Sequence, residues 1–157
     1  MRGWRGRQFL LVGWMALIFW MSSDSQSGER SLELVSSGFW GGWWSAWGLD
    51  LQWIDYLVRK AAHVGEYAVL FALWRWNGFS ARSAWAASLA YALSDEFHQL
   101  WVPERSGSLS DVGIDAGGMA LAHLLWSPCL EPLLQRVEKW GSRDRNRGAS
   151  QESGQTL

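Results

Sequence analysis

Two short stretches of the chain concentrate the residue types that can do chemistry. The first, KAAHVGEY, begins at Lys60, and the second, SDEFHQLWVPERSGSLSD, runs from Ser94 to Asp111. Imidazole and carboxylate side chains can act as general acids and bases or ligate metals. Lysine and arginine side chains bind anions such as phosphate. Both stretches adjoin apolar runs. The secondary-structure elements that those runs form decide which of the polar side chains can meet, and therefore which chemistry they can perform.

Helical periodicity places most of these polar residues on shared faces. At about 100° per residue, the polar residues of the first stretch fall within an arc of about 120°, and those around Asp95 within about 140°. Glu96 lies on the next face, and Asp111 and Asp115 lie one turn apart on a third segment. We expect the following residues to form one polar pocket: Lys60, His63, Glu66, Tyr67, Asp95, Glu96, His98, Gln99, Arg105 and Asp111.

Several chemistries remain open for this pocket. Carboxylates outnumber lysine and arginine in this pocket, so the charges do not simply cancel. An ion-pair cluster that only holds the helices together is the alternative interpretation. His63 with Glu66, and Asp95 with His98, have the i, i+3 spacing of metal pairs in helical bundles. We nevertheless expect no metal and no cofactor, because nearby cations would oppose one. An anion such as a phosphate or terminal carboxylate suits the pocket better.

Catalysis is the less favoured reading. A histidine oriented by Asp95 or Glu96 could perform acid–base chemistry on a lipid or cell-wall precursor. The serines, however, lack the strand–turn–helix context of a nucleophile elbow. We therefore predict a binding protein rather than an enzyme.

Composition and hydropathy predict a membrane protein. The chain has 157 residues, enough for one domain, and its net charge of −1 gives no reason to expect nucleic acid as a partner. Its 14 tryptophans suit helices that meet a membrane–water interface. We predict an all-α, four-helix transmembrane bundle within residues 1–141. Its spans are predicted at about 8–23, 61–76, 83–101 and 111–126.

The distribution of lysine and arginine favours one orientation of these spans. With the N-terminus inside, ten of the 14 cations fall on the cytoplasmic side, as the positive-inside rule expects. A compact soluble bundle, the alternative, has no reason to segregate its cations in this way. The basic start and apolar run could also be a signal peptide, but no A-x-A-like cleavage site follows. We expect a multi-pass protein of the bacterial cytoplasmic membrane, with both termini cytoplasmic and the polar pocket outside.

The remaining segments are predicted to be less regular. Residues 22–38 are polar and rich in serine, which indicates a loop. FWGGWWSAWGLDLQW follows, between the first two spans, and its glycines disfavour a long helix. It is either an interfacial segment or a loop over the helix ends. Residues 142–157 are predicted to be a disordered cytoplasmic tail.

At the polar stretches the chain resembles the VanZ-like family of bacterial integral membrane proteins. KAAHVGEYAVLFALW and LSDEFHQLWVPERSGSLSDVGIDAGGMALAHLLW carry the likeness, and WMALIFWMSSDSQ is similar to the family's first helix. The resemblance extends the motif to Pro103, whereas Asp115 stands where members commonly have asparagine. It implies a four-helix membrane protein in the lipid bilayer with the motif near the outer face. It also implies a link to teicoplanin-like glycopeptide resistance, with a cell-wall precursor or glycopeptide as partner.

Overall fold

The structure, a computed structural model, describes residues 2–25, 27–103, 105, 107–136 and 139, and these residues contain helices and no strands. The predicted all-α class is therefore confirmed, while the predicted tail at 142–157 lies outside the described residues. The helices are α1 (Arg2–Ser22), α2 (Ser27–Ser36), α3 (Gly38–Ala46), α4 (Leu51–Trp76), α5 (Ala81–Gln99) and α6 (Leu109–Leu125), and a π-helical turn (Trp126–Leu130) follows α6.

Helices α1, α4, α5 and α6 overlap the four segments that were predicted as spans. The largest difference is at α4, which begins at Leu51 rather than near residue 61. The Asp50 side chain accepts a hydrogen bond from the Gln52 backbone N–H and caps this early start. None of the helices in the described ranges is both long enough and apolar enough to cross a membrane.

The region between α1 and α4 is more regular than the sequence predicted. Helix α2 lies inside residues 22–38, which were expected to form a loop. The first half of the tryptophan-rich segment forms α3, and its last three residues begin α4. Gly38 joins the two helices with a φ of 58°, a backbone conformation that favours glycine. The serine-rich composition indicated a loop where α2 forms. Leu32 and Val35 nevertheless have the i, i+3 spacing of a helix face, and Val35 is buried.

The apolar core lies between α1, α4, α5 and α6. Its fully buried members include Ile18, Tyr67, Phe71 and Met119. Helix α4 packs most extensively against α6. The closest approach is at Gly118, where an added Cβ would lie 2.2 Å from the Val64 carbonyl oxygen. The small residues of α6 thus bring its backbone against that of α4.

Hydrogen bonds between helices fix α1 antiparallel to α4. Near its start, the Arg7 guanidinium donates to the Trp76 carbonyl, and the Asn77 amide donates to the Arg7 carbonyl. Further along α1, Trp14 Nε1 donates to the Glu66 carbonyl at 3.0 Å. The end of α1 therefore lies beside the first half of α4. The end of α5 and the start of α6 lie at this same end of the bundle.

Candidate functional site

Two side-chain pairs join α4 to α6 at that end of the bundle. Lys60 Nζ donates to Asp111 Oδ1, and His63 Nδ1 lies 3.1 Å from Asp115 Oδ1. Each helix supplies its two members one turn apart. The contact at Gly118, one further turn along α6, holds the two backbones close enough for these pairs to form. The start of α6 is thereby fixed to the polar face of α4.

The last turn of α5 contributes three buried polar side chains. Asp95, Glu96 and Gln99 are 4%, 5% and 3% exposed. Gln99 Nε2 donates to Asp95 Oδ2 at 3.2 Å, and Glu96 Oε2 accepts from the Ser108 backbone N–H at 2.7 Å. Glu96 was predicted to lie on the face next to the polar group, yet it is buried because the chain folds back into α6 beside it.

His98 of α5 and Arg105 of the following turn contact the end of α1, which borders the site. His98 Nε2 lies 3.1 Å from Ser23 Oγ, and its ring lies 4.5 Å from that of Phe19. The Arg105 guanidinium donates to the Met21 carbonyl at 3.1 Å. His98 therefore faces the end of α1 and has a different neighbourhood from His63.

Two adjacent cavities open at this end, with volumes of about 300 and about 230 Å³. Arg59, His63, Gln99 and Arg105 line both. The larger cavity adds Glu66 and Asp95, with apolar side chains that include Trp20 and Leu34. The smaller one adds Lys60 and Asp111. Seven of the ten predicted pocket residues thus line one or both cavities, whereas Glu96 and His98 line neither and contact Ser108 and Ser23 instead.

Tyr67 is the member with a different environment. Its side chain is fully buried within the apolar core, and its hydroxyl has no hydrogen-bond partner among the described residues. Pro103 is exposed in the turn after α5, where Arg105 N donates to the Val102 carbonyl. Neither residue lines the two cavities.

Sequence reasoning missed several residues that the fold brings to the site. Helix α2 packs on α4 and adds Arg30, Ser31 and Leu34 to the larger cavity. Arg59 lines both cavities and also pairs with Asp55 at 2.9 Å. The KAAHVGEY motif begins one residue after Arg59, and no pattern in the sequence places α2 beside it.

The acidic residues of the site are incompletely paired. Asp115 is fully buried, and its Oδ2 has no hydrogen-bond partner among the described residues. The same holds for Glu96 Oε1 and Asp95 Oδ1. A buried carboxylate is costly unless it is paired or hydrogen-bonded. An ion-pair cluster that only locks helices together does not account for these oxygens.

Comparison with known proteins gives one positive result. A family model described as VanZ/LLP1 matches residues 8–133, which include α1 to α6 from Gln8 onward and the whole of the site. No curated protein and no solved structure matches the chain.

Proposed function

The chain belongs to the VanZ/LLP1 family, and we propose that it is an integral membrane protein whose outward-facing site binds an anionic component of the cell envelope. The single observation that carries this proposal is the lining of the larger cavity, where arginines stand beside apolar side chains. An anionic group attached to a hydrocarbon tail, as in a lipid phosphate, matches such a lining.

The exposed apolar surface of the bundle supports a lipid environment. Phe9, Val12 and Trp20 of α1 are 76%, 63% and 66% exposed, and Phe97 and Leu124 on α5 and α6 are 63% and 72% exposed. Apolar side chains this exposed on several helices are typical of a surface that contacts lipid or a partner. The exposed tryptophans of α3 suit the level of the lipid headgroups. In this proposal α3 lies in the interface.

The arginines of the larger cavity support an anion as the ligand, and its lining also holds three carboxylates, Asp24, Glu66 and Asp95. Arg105 donates one hydrogen bond to a backbone carbonyl and lines both cavities, so guanidinium N–H groups other than the buried Nε–H can reach a ligand. Arg59 lines both as well and pairs with Asp55 on its own helix. Guanidinium groups bind phosphate and carboxylate through paired hydrogen bonds.

The first prediction concerns Arg105. Arg105→Ala should weaken binding of farnesyl diphosphate to the purified protein in lipid nanodiscs by about 10- to 100-fold, because one charge-assisted hydrogen-bonding group is lost. Isothermal titration calorimetry measures the affinity. Inorganic pyrophosphate and D-alanyl-D-alanine, run in parallel, distinguish a lipid phosphate from a free phosphate and from a terminal carboxylate.

The matched control for this experiment is Arg82→Ala. Arg82 is exposed in the first turn of α5, at the opposite end of the bundle, and does not line either cavity. Its loss should leave the affinity unchanged. Wild-type protein that binds none of the three probes, or an equal loss from both variants, would contradict the proposal.

We extend the proposal to glycopeptide resistance as its physiological outcome. Glycopeptides act on cell-wall precursors outside the membrane, on the side where the proposed site opens. Expression of the wild-type protein in a susceptible host should raise the inhibitory concentration of teicoplanin. Expression of Arg105→Ala at equal abundance should leave that concentration unchanged. An unchanged inhibitory concentration with the wild-type protein would remove the extension and leave the binding proposal standing.

A specific contact favours an enzyme as the second candidate function. Asp115 Oδ1 lies 3.1 Å from His63 Nδ1, the arrangement by which a carboxylate orients a catalytic histidine. An enzyme of this kind would act on the same lipid or cell-wall precursor by acid–base chemistry. It would turn the probe over instead of only binding it, and His63→Gln would remove turnover more than affinity.

A further inference from the structure

Three ligand-type side chains from three helices converge beneath the cavities. His63 of α4, Glu96 of α5 and Asp115 of α6 each offer one donor atom, and these atoms lie within 4.8 Å of one another. His63 Nδ1 and Asp115 Oδ1 are 3.1 Å apart. Neighbouring ligands of a tetrahedral zinc ion are separated by about 3.3 Å, given metal–ligand distances of about 2.0–2.1 Å. Three protein donors would leave the fourth position of a tetrahedral ion to a water molecule or a ligand.

The burial of the two carboxylates gives independent support for a ligand. Glu96 and Asp115 are 5% and 0% exposed, and each uses one oxygen in a hydrogen bond. The other oxygens, Glu96 Oε1 and Asp115 Oδ2, are buried without a partner among the described residues. Native proteins rarely leave such atoms unpaired, and ion binding is a recognised role for buried polar atoms of this kind.

The cations near the site do not neutralise these carboxylates. Lys60 pairs with Asp111, and Arg59 pairs with Asp55. No salt bridge from a lysine or arginine reaches Glu96 or Asp115 within the described part of the chain. A divalent cation bound at this point would offset the charge of Glu96 and Asp115, and His63, which now contacts Asp115, would ligate it as the neutral imidazole.

We propose that His63, Glu96 and Asp115 bind a divalent transition-metal ion, Zn²⁺ or Mn²⁺. Imidazole with two carboxylates suits these ions better than Mg²⁺ or Ca²⁺, which prefer oxygen ligands alone. This donor set differs from the i, i+3 pairs visible in the sequence, which would have required Glu66 and His98. The ion would cross-link α4, α5 and α6. It would also lie beside both cavities, since His63 lines each of them.

The proposal stands independently of anion binding and is tested without an anion. Protein purified without a histidine tag is stripped with EDTA, incubated with Zn²⁺ or Mn²⁺ and freed of excess metal by gel filtration. Elemental analysis should then give about one ion per chain. Because an ion that binds only the folded state stabilises it, the Tm should rise by about 5–10 °C at a hundredfold excess over the Kd.

Variants identify the ligands. Glu96→Gln and Asp115→Asn should each weaken metal affinity at least tenfold. The matched control is Asp95→Asn, since Asp95 is equally buried, precedes Glu96 on α5 and is not one of the three donors. His123→Gln, at the far end of α6, controls for stray binding by histidine. Wild-type protein without bound ion, or an equal loss in Asp95→Asn, would overturn the proposal even if one ligand variant fails to fold.

Discussion

Gly118→Ala should destabilise the protein by about 3 kcal/mol, the upper part of the range for overpacked cores. The new Cβ would lie 2.2 Å from the Val64 carbonyl oxygen and 2.9 Å from its carbonyl carbon. Both are backbone atoms of α4, so no side chain can rotate away and the two helices must separate. Chemical denaturation of the protein in detergent, followed by circular dichroism, measures the change.

The neighbouring glycine provides the control. A Cβ added at Gly117 would meet nothing within 4 Å. Gly117→Ala should be neutral or should stabilise the helix by up to about 1 kcal/mol, because alanine has the higher helix propensity. Opposite signs at adjacent positions would be hard to explain by anything except contact with α4. Equal effects would show that α4 and α6 do not pack as described.

The separation of α4 from α6 would also affect the site. Lys60 and His63 reach their partners on α6 only because the backbones touch at Gly118. We therefore expect Gly118→Ala to weaken anion and metal binding together, whereas Arg105→Ala should affect the anion alone. The two variants separate a loss of the scaffold from a loss of the ligand contact.

Asp111→Asn should cost about 2–3 kcal/mol of stability, the second large effect. Asp111 and Lys60 form a hydrogen-bonded ion pair whose side chains are only 12% and 23% exposed. Removing the Asp111 charge leaves the partly buried Lys60 ammonium without its partner, which costs more than the pair contributes. The same denaturation measurement applies, with binding of the probes as a second readout.

An exposed ion pair supplies the matched control for this substitution. Asp24 pairs with Arg30 at 2.7 Å, and the Arg30 side chain is 60% exposed. Asp24→Asn should cost less than about 1 kcal/mol, since exposed pairs contribute little. Similar costs for Asp24→Asn and Asp111→Asn would contradict the burial of the Lys60–Asp111 pair.

A double substitution separates structure from function at this pair. Lys60→Met with Asp111→Leu removes both charges and should recover much of the stability lost in Asp111→Asn. If the pair only locks α4 to α6, the double variant should also bind the probes normally. If Lys60 contributes to the anion site, stability should return without binding.

Much of the architecture could be read from helical periodicity. Apolar runs predicted α1, α4, α5 and α6, and most of the predicted helix boundaries lie within one turn of the observed ones. The polar faces predicted that α4, α5 and α6 would bring their charges to one end of the bundle. The family motif was also legible. The sequence did not predict the helix within residues 22–38. Its serine-rich composition favoured a loop, and Leu32 and Val35, spaced i, i+3, were too few to indicate a helix face.

By itself, the sequence determined that the protein is helical, that it belongs to the VanZ/LLP1 family and that its polar residues gather at one end. Only the tertiary structure decided which of them touch. It paired Lys60 with Asp111 and His63 with Asp115, and it turned Glu96 toward the site. The physical reason is that periodicity fixes the face of a residue within its own helix. The rotation and register between helices are fixed by backbone contacts such as that of Gly118 with Val64.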